Sequence, residues 1–328
     1  MNGSGDRPPW EAPGERGVPG DVFTEAEAVV LSLRAAEDRD PSGVCRRLMG
    51  LVAVLAETGV PRWVLHLAAG TGALDGDIGA AEVDAAAGVL ADASLLGFTS
   101  DDSVVAQRLV MRVEREWLAA EGRLPLVLAS AILVLQGMHD GIAGAWSDPD
   151  GVHELAVQVS AIATHVAGHP DALTGEALEG LLRLRLRSAY LLNTLGDRTG
   201  LAILIAEPLV TDCERVLGAD HPDTLAARLN VAHAYQAAGR TAEAIPLLER
   251  TLADSERLLG TDHPDTLGSR NDLAVAYRDA GRTAEAIALL ERTLADSERL
   301  LSTDHPSTNV VRRNLSALTD RPAPANGG

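Results

Sequence analysis

The chain has 328 residues, 46% of them hydrophobic but only 3% aromatic, and a formal net charge of −19. That length admits two domains, and an apolar content dominated by alanine and leucine favours helices over a β-sandwich. The acidic balance argues against a general binder of nucleic acid or of anionic membranes, so neither is expected as a partner.

All 28 basic residues are arginine; no lysine occurs anywhere. The two cysteines, Cys45 and Cys213, stand far apart in no metal-ligand spacing and read as reduced, buried thiols. Residues 1–22 hold glycine, proline and charge without periodicity and are expected to be a disordered tail. The polar start MNGSGDRPPW does not read as a signal peptide, and the longest apolar run, Leu124 to Leu135, is far short of a membrane span. A cytoplasmic location is therefore expected.

Residues 23–122 read as one mostly helical unit. Helices are expected at Glu25–Glu37, Pro41–Glu57, Pro61–Ala69, Ala80–Leu96 and Ala106–Ala120. Between the last two, Gly97–Asp102 has the composition of a tight turn, with a strand at Ser103–Val105. The run Cys45-Arg-Arg-Leu-Met-Gly-Leu-Val-Ala-Val-Leu-Ala, then Val60-Pro61, Val64-Leu65, Leu90-x-x-x-Ser-Leu-Leu and Val105-Ala-Gln-Arg-Leu-Val-Met-Arg-Val, resembles a known region. It is similar to the winged-helix region that follows the nucleotide-binding core in STAND-class (NB-ARC type) NTPases, notably actinobacterial ones. Gln107 stands where those members usually carry histidine. Residues 123–173, with Trp146-Ser-Asp-Pro-Asp and Leu155 to His165, resemble that family's helical bridge. There Val157-Gln158 replaces a frequent Pro-His pair.

The NTPase core itself is absent from this sequence. A phosphate-cradling Gly-x-x-x-x-Gly-Lys-Ser/Thr loop needs a lysine to neutralise the phosphates. The glycine-rich Gly70–Gly79 follows a helix and lacks any basic residue, so it reads as a plain loop. Nor does the winged-helix-like unit suit DNA. Its candidate recognition helix, Ala80–Leu96, carries Glu82, Asp84 and Asp92 and no arginine, whereas such a helix must bring basic groups to phosphates. Arg108, Arg112 and Arg115 form a stripe at i, i+4 and i+7 that reads as a solvated or ion-paired face.

The last part of the chain, residues 174–318, is a repeat. His221–Gly260 and His263–Ser302 match at 30 of 40 aligned positions, and a third copy starting at His305 breaks off. The spacing of His221, His263 and His305 is a constant 42 residues. Self-similarity at a fixed period marks a solenoid whose units bury their apolar faces against neighbours. Pro222 and Pro264 suit a first helical position, with Asp223 and Asp265 favourable in the first turn. Gly239 and Gly281 suit the helix end. A second helix then carries Ala244, Ile245, Leu248 and Leu252, or Ala286, Ile287, Leu290 and Leu294, at helical spacing. A degenerate unit precedes (Leu181–Leu195, Ala202–Leu217) and a terminal helix, Thr308–Leu318, follows. Residues 319–328 are expected to be a disordered tail.

Ala232 with Tyr235, Ala274 with Tyr277, the Gly-Arg turn and Ala244 or Ala286 resemble the tetratricopeptide repeat. The length and the connector Leu-Gly-x-Asp-His-Pro-Asp-Thr-Leu are similar to its kinesin light chain type. The resemblance implies an all-α chain: a winged-helix-like domain followed by a right-handed α–α superhelix whose first helices line a partner groove. The second helices of the two copies differ only at Pro246 against Ala288. Eight differences fall in the first helices, and by the resemblance most face the groove. Asn230, His233, Gln236, Asn271, Asp272, Arg278, Arg313 and Asn314 are the lining candidates. Tyr190, Tyr235 and Tyr277 are expected between helices, in the core.

No catalytic set is readable, so a non-enzyme is expected. His165 and His169 lack a third ligand, so no metal is called, and no cofactor either. The expected function is an interaction adaptor or regulatory module binding a protein or peptide, with a separate NTPase chain as one candidate partner. The alternatives are a transcription or signalling regulator using the winged-helix-like unit, and an enzyme or biosynthetic accessory on a helical scaffold.

Overall fold

The structure, a computed structural model, describes residues 25–319 except 75, 77, 143, 197 and 198. The expected tails at 1–22 and 320–328 lie outside the described residues, and residue 319 ends a helix. Among the described residues the chain is mostly helical, with one small sheet. It divides into two compact units. One comprises the described residues of Met1–Ala143 and Asp150–Leu184, the other those of Gly144–Pro149 and Arg185–Gly328.

In the first unit the elements are α1 (Glu25–Arg39), α2 (Val44–Val54), β1 (Val60–Pro61), α3 (Arg62–Gly70) and α4 (Ala80–Asp92). Then come β2 (Leu96–Phe98), β3 (Ser103–Ala106), α5 (Arg108–Ala120), α6 (Leu124–Gly141) and α7 (Pro149–Gly168). From α2 to β3 this is the order helix, strand, helix, helix, strand, strand, closed by an antiparallel sheet in the order β1-β3-β2. That is the winged-helix arrangement. Helix α2 is its centre: apart from the two arginines every one of its residues is buried, and it packs against α4, α5 and α6.

Two of the helix boundaries that differ from expectation do so for clear local reasons. Helix α2 starts at Val44, not Pro41, because the Asp40 carboxylate accepts from the N–H groups of Ser42 and Cys45 (3.0 and 2.6 Å). These bonds hold residues 41–43 in a turn with Gly43 at φ 72°, competing with helix as aspartate does. Helix α4 ends at Asp92, not Leu96. Ser94 takes a left-handed φ of 59° and Leu95 N–H bonds back to the Leu90 carbonyl, which frees Leu96 to enter the sheet.

Helix α6 is also longer than its apolar run. It has 18 residues with mean hydropathy 1.3, long and apolar enough by length and composition to cross a membrane. In the fold it packs against α2 and α3 and buries Leu124, Leu128, Ala131, Val134 and Leu135. Gln158 on α7, 0% exposed, accepts from Ala56 N–H and donates to the Gly59 carbonyl, both at 2.8 Å. The residue that departs from the bridge motif thus ties the end of α2 to the approach of β1.

In the second unit the chain makes helical hairpins. They are the end of α8 (Gly175–Leu195) with α9 (Thr199–Val216), α10 (Pro222–Ala237) with α11 (Thr241–Leu258), and α12 (Pro264–Asp279) with α13 (Thr283–Leu300). Helix α14 (Pro306–Thr319) closes the row. From α9 to α14 each helix packs on the next in sequence, as a solenoid requires. Ala232, Ala244, Ile245, Leu248, Leu273 and Ala276 form one core, and Ala274, Leu290 and Val311 the next. A leucine so buried contributes roughly 1.5–3 kcal/mol relative to exposure.

Candidate functional site

Each first helix starts from the same chemistry. The Nδ1 atoms of His221, His263 and His305 accept from the backbone N–H of Asp223, Asp265 and Ser307 at 3.1–3.2 Å. These histidines are N-caps, satisfying donors that a helix start leaves orphaned. The first helices end at Gly239 and Gly281, with φ 74° and 76°. There Arg240 and Arg282 N–H bond back to the Tyr235 and Tyr277 carbonyls at 2.7 and 2.8 Å. The register of the first-helix faces is therefore fixed at both ends.

Between the hairpins lies a feature that motif reading missed. Arg228 and Arg270, each 1% exposed at the side chain, are among the largest buried side chains. Arg270 donates from Nε and Nη2 to Glu256 of α11 (3.1 and 2.8 Å) and from Nη1 to Asp296 of α13 (2.9 Å). Arg228 makes the same set with Glu214 and Asp254. Arg312 repeats the bond to Glu298 at 2.7 Å. The signal was present as Arg228, Arg270 and Arg312 recurring at the repeat period in step with Glu214, Glu256 and Glu298. Helical periodicity puts an arginine outside by default, which hid it.

The predicted groove residues fall on one face of α10, α12 and α14, and most bond across it. Asn193 Nδ2 donates to the Asn230 carbonyl (2.9 Å), and Asn230 is itself buried, a strut between α8 and α10. His233 Nε2 meets Asp272 Oδ2 at 3.2 Å, joining α10 to α12. Burial works against the His233 imidazolium, but the hydrogen bond and charge of Asp272 outweigh it and raise the pKa. Asn314 Nδ2 donates to Asn271 Oδ1 at 2.8 Å, joining α12 to α14. Arg278 pairs with Asp279, Gln236 is half-buried and Arg313 is exposed. Of the eight positions that differ between copies, Val231 and Leu273 lie in the core and Ala227 is fully buried, so these three residues do not face a groove.

One aromatic expectation is corrected. Tyr235 and Tyr277 pack on the repeat core and lie under Arg240 and Arg282, with Oη donating to Glu207 and Glu249 (2.6 and 2.8 Å). Tyr190 instead is 62% exposed. One repeat before Tyr235 stands Asn193, not Tyr190, so Tyr190 is out of register.

At the N-terminal end of the same face, between α10 and α12, opens a cleft of about 740 Å³. Leu225, Leu229, Leu258 and Leu259 give it apolar walls, and Asp220, Asp223, Asp265 and Asp272 give it acid, with no arginine among its lining residues. A smaller cleft of about 160 Å³ lies between α12 and α14. Each residue lining the smaller cleft stands one repeat beyond a residue of the larger: Pro264 after Pro222, Asn271 after Leu229, Val310 after Gly268 and Val311 after Ser269. The two are copies of one feature, the second filled by two valines.

In the first unit, Arg108 pairs with Glu57 (3.0 Å), Arg112 with Glu116 (2.8 Å), and Arg115 donates to the Ala53 carbonyl (2.8 Å). The arginine stripe is an ion-paired face. On α4, Asp84 is engaged by Arg62 and His66, both at 2.8 Å. Burial pushes the Cys45 thiol up to about 12 and the Cys213 thiol to about 11, so both stay protonated. Burial draws His165 down to about 4, and His169 Nδ1 lies 3.1 Å from its carbonyl.

Residues 207–256 and 223–299 match the family model described as tetratricopeptide repeat. Among solved structures, the chain is similar to the nearly identical TPR-like repeats of a candidate kinesin light chain from Podosopora anserina. The identity is 28% and the TM-score 0.45, over 57% of this chain and 85% of that one. A point variant of that protein gives 26% and 0.46 over the same shares. BtubC (BKLC) from P. vanneervenii gives 19% and 0.42, over 59% of this chain and 82% of the other. No curated protein matches the chain.

Proposed function

We propose that the chain is a non-catalytic interaction adaptor or regulatory module that holds a segment of a partner protein on the first-helix face of its repeats. One observation carries this reading. The two repeats keep their second helices identical but for Pro246 against Ala288, and the face where they diverge is the face where the clefts open. A scaffold copied behind a chemically individual surface is what partner recognition asks for. Amides and arginines at Asn271, Arg278 and Arg313 are suited to bonding the backbone and side chains of an extended or helical segment. Given the resemblance of the first unit to the region after a STAND nucleotide-binding core, partners on this reading include a separate NTPase chain.

The test is capture of partners by the intact chain from its native cytosol, followed by amide exchange on the complex with the partner identified by mass. Protection confined to α10, α12 and α14 is expected. Protection of α11 and α13 alone, or capture of DNA in a salt-sensitive manner, would contradict the proposal.

A further inference from the structure

We propose that the cleft between α10 and α12 is the anchor subsite of this face, and that its occupant is a cationic partner segment with one leucine-sized apolar side chain. The inference rests on the reading of the first-helix face as the partner surface and adds the chemistry of what is bound. Leu258 and Leu259 remain 36% and 37% exposed at the cleft, beside Leu225 and Leu229, so a complementary apolar group is lacking there. The rim is acidic. Among the described residues, Asp265, 80% exposed at the side chain, and Asp223 have only the cap histidines as ion-pair partners, at 3.7 and 4.0 Å. Asp220, by contrast, is bonded to Arg257.

A segment that seats a leucine or methionine between the two helices brings its neighbouring residue to Asp223 and Asp265. Arginine or lysine fits that position, and glutamate is repelled. The copy of this cleft one repeat further on sets a second requirement. Val310 and Val311 fill it, and Ser297, 1% exposed with its hydroxyl unpartnered among the described residues, lines it. It takes a small side chain and offers a donor to a backbone carbonyl. Packed helices stand roughly 8–10 Å apart, and an extended chain advances about 3.3 Å per residue. The small residue therefore lies about two or three positions from the apolar anchor.

The experiment is selection of a randomised dodecapeptide phage library against the intact chain, with affinities of the selected peptides measured by fluorescence anisotropy. Enrichment of arginine or lysine beside leucine or methionine is expected. Two variants test the placement. Gly268→Val puts the third repeat's residue into the larger cleft; an added Cβ there meets nothing within 4 Å, so the fold is retained, as a thermal melt checks. It is expected to weaken the selected peptides about tenfold. Asp223→Asn with Asp265→Asn is expected to weaken them about tenfold at low salt, with the difference shrinking as salt screens the charges.

Enrichment of acidic residues, or binding indifferent to Gly268→Val, overturns the inference. If such binding were still lost on alanine substitution of Asn271, Arg278 and Arg313 together, the face would stand as the partner surface with a different anchor. Failure of the library to yield any binder would count against both readings.

Discussion

Replacing Arg270 by methionine isolates the element that locks consecutive hairpins together. Methionine keeps the apolar stem but removes a guanidinium that is 1% exposed and makes three charge-assisted hydrogen bonds to Glu256 and Asp296. Removing one partner of a buried ion pair costs about 3–5 kcal/mol, because the remaining charge is left uncompensated. Here Glu256 is left 34% exposed, and Asp296, 23% exposed, keeps Arg299 at 3.0 Å, so the cost falls to the lower end, about 3 kcal/mol. Arg282 is the control, in the same repeat. It too is ion-paired, to Glu285, but is 38% exposed, and its replacement by methionine should cost under about 1 kcal/mol. Urea unfolding followed by circular dichroism measures both. Equal losses for the two variants would refute the argument that burial, rather than pairing, sets the strength of these bridges.

Three further perturbations follow from local geometry. Glu114 is 0% exposed, neither carboxyl oxygen has a hydrogen-bond partner among the described residues, and burial, opposed by Arg46, pushes its pKa up to about 7 from 4.5. Folding therefore favours the protonated form: its contribution is complete below pH 4.5 and is lost as pH rises through 7. Glu114→Gln should be the more stable chain at pH 8 by up to roughly 3 kcal/mol, the advantage vanishing near pH 4.5; a pH-independent difference in unfolding free energy would contradict this. His263→Ala removes the cap acceptor of α12 and should cost about 1 kcal/mol, with most of it restored by His263→Ser; equal melting of the alanine and serine variants would exclude the capping role. Ser302 takes φ 105° where Gly260 has φ 92°, so Ser302→Gly should relieve strain and stabilise by about 1 kcal/mol, and a lowered melting temperature would count against it.

How much of this was legible in the sequence depended on whether a signal was periodic and apolar. The hairpins of α10 to α13 were placed within a residue or two, since proline, glycine and the apolar spacing all agree there. The turn and strand at 97–105 were also readable, but not the end of α4. Helix propensity runs on through Ala93 and Ser94, and only the left-handed serine breaks it. The end of α6 was concealed too, because Gln136, Gly137, His139 and Asp140 interrupt the apolar run while the helix continues to Gly141. The face of the repeats was legible as a set of positions, but not its bonding, because Asn193, Asn230, His233 and Asp272 find partners one helix away. Burial of Arg228 and Arg270 ran against the ordinary reading of charge as surface. The larger cleft was invisible for a different reason: Gly268 and Ser269, which line it, are side chains too small to advertise a site.

The most direct test of the account compares two triple-alanine variants of the intact chain for affinity toward a captured partner. One carries alanine at Asn271, Arg278 and Arg313 on the first-helix face, the other at Arg250, Glu291 and Arg292, exposed on the second helices. A loss of tenfold or more, about 1.4 kcal/mol or greater, is expected for the first and an unchanged affinity for the second. Loss in the second set alone, or in neither, would contradict it.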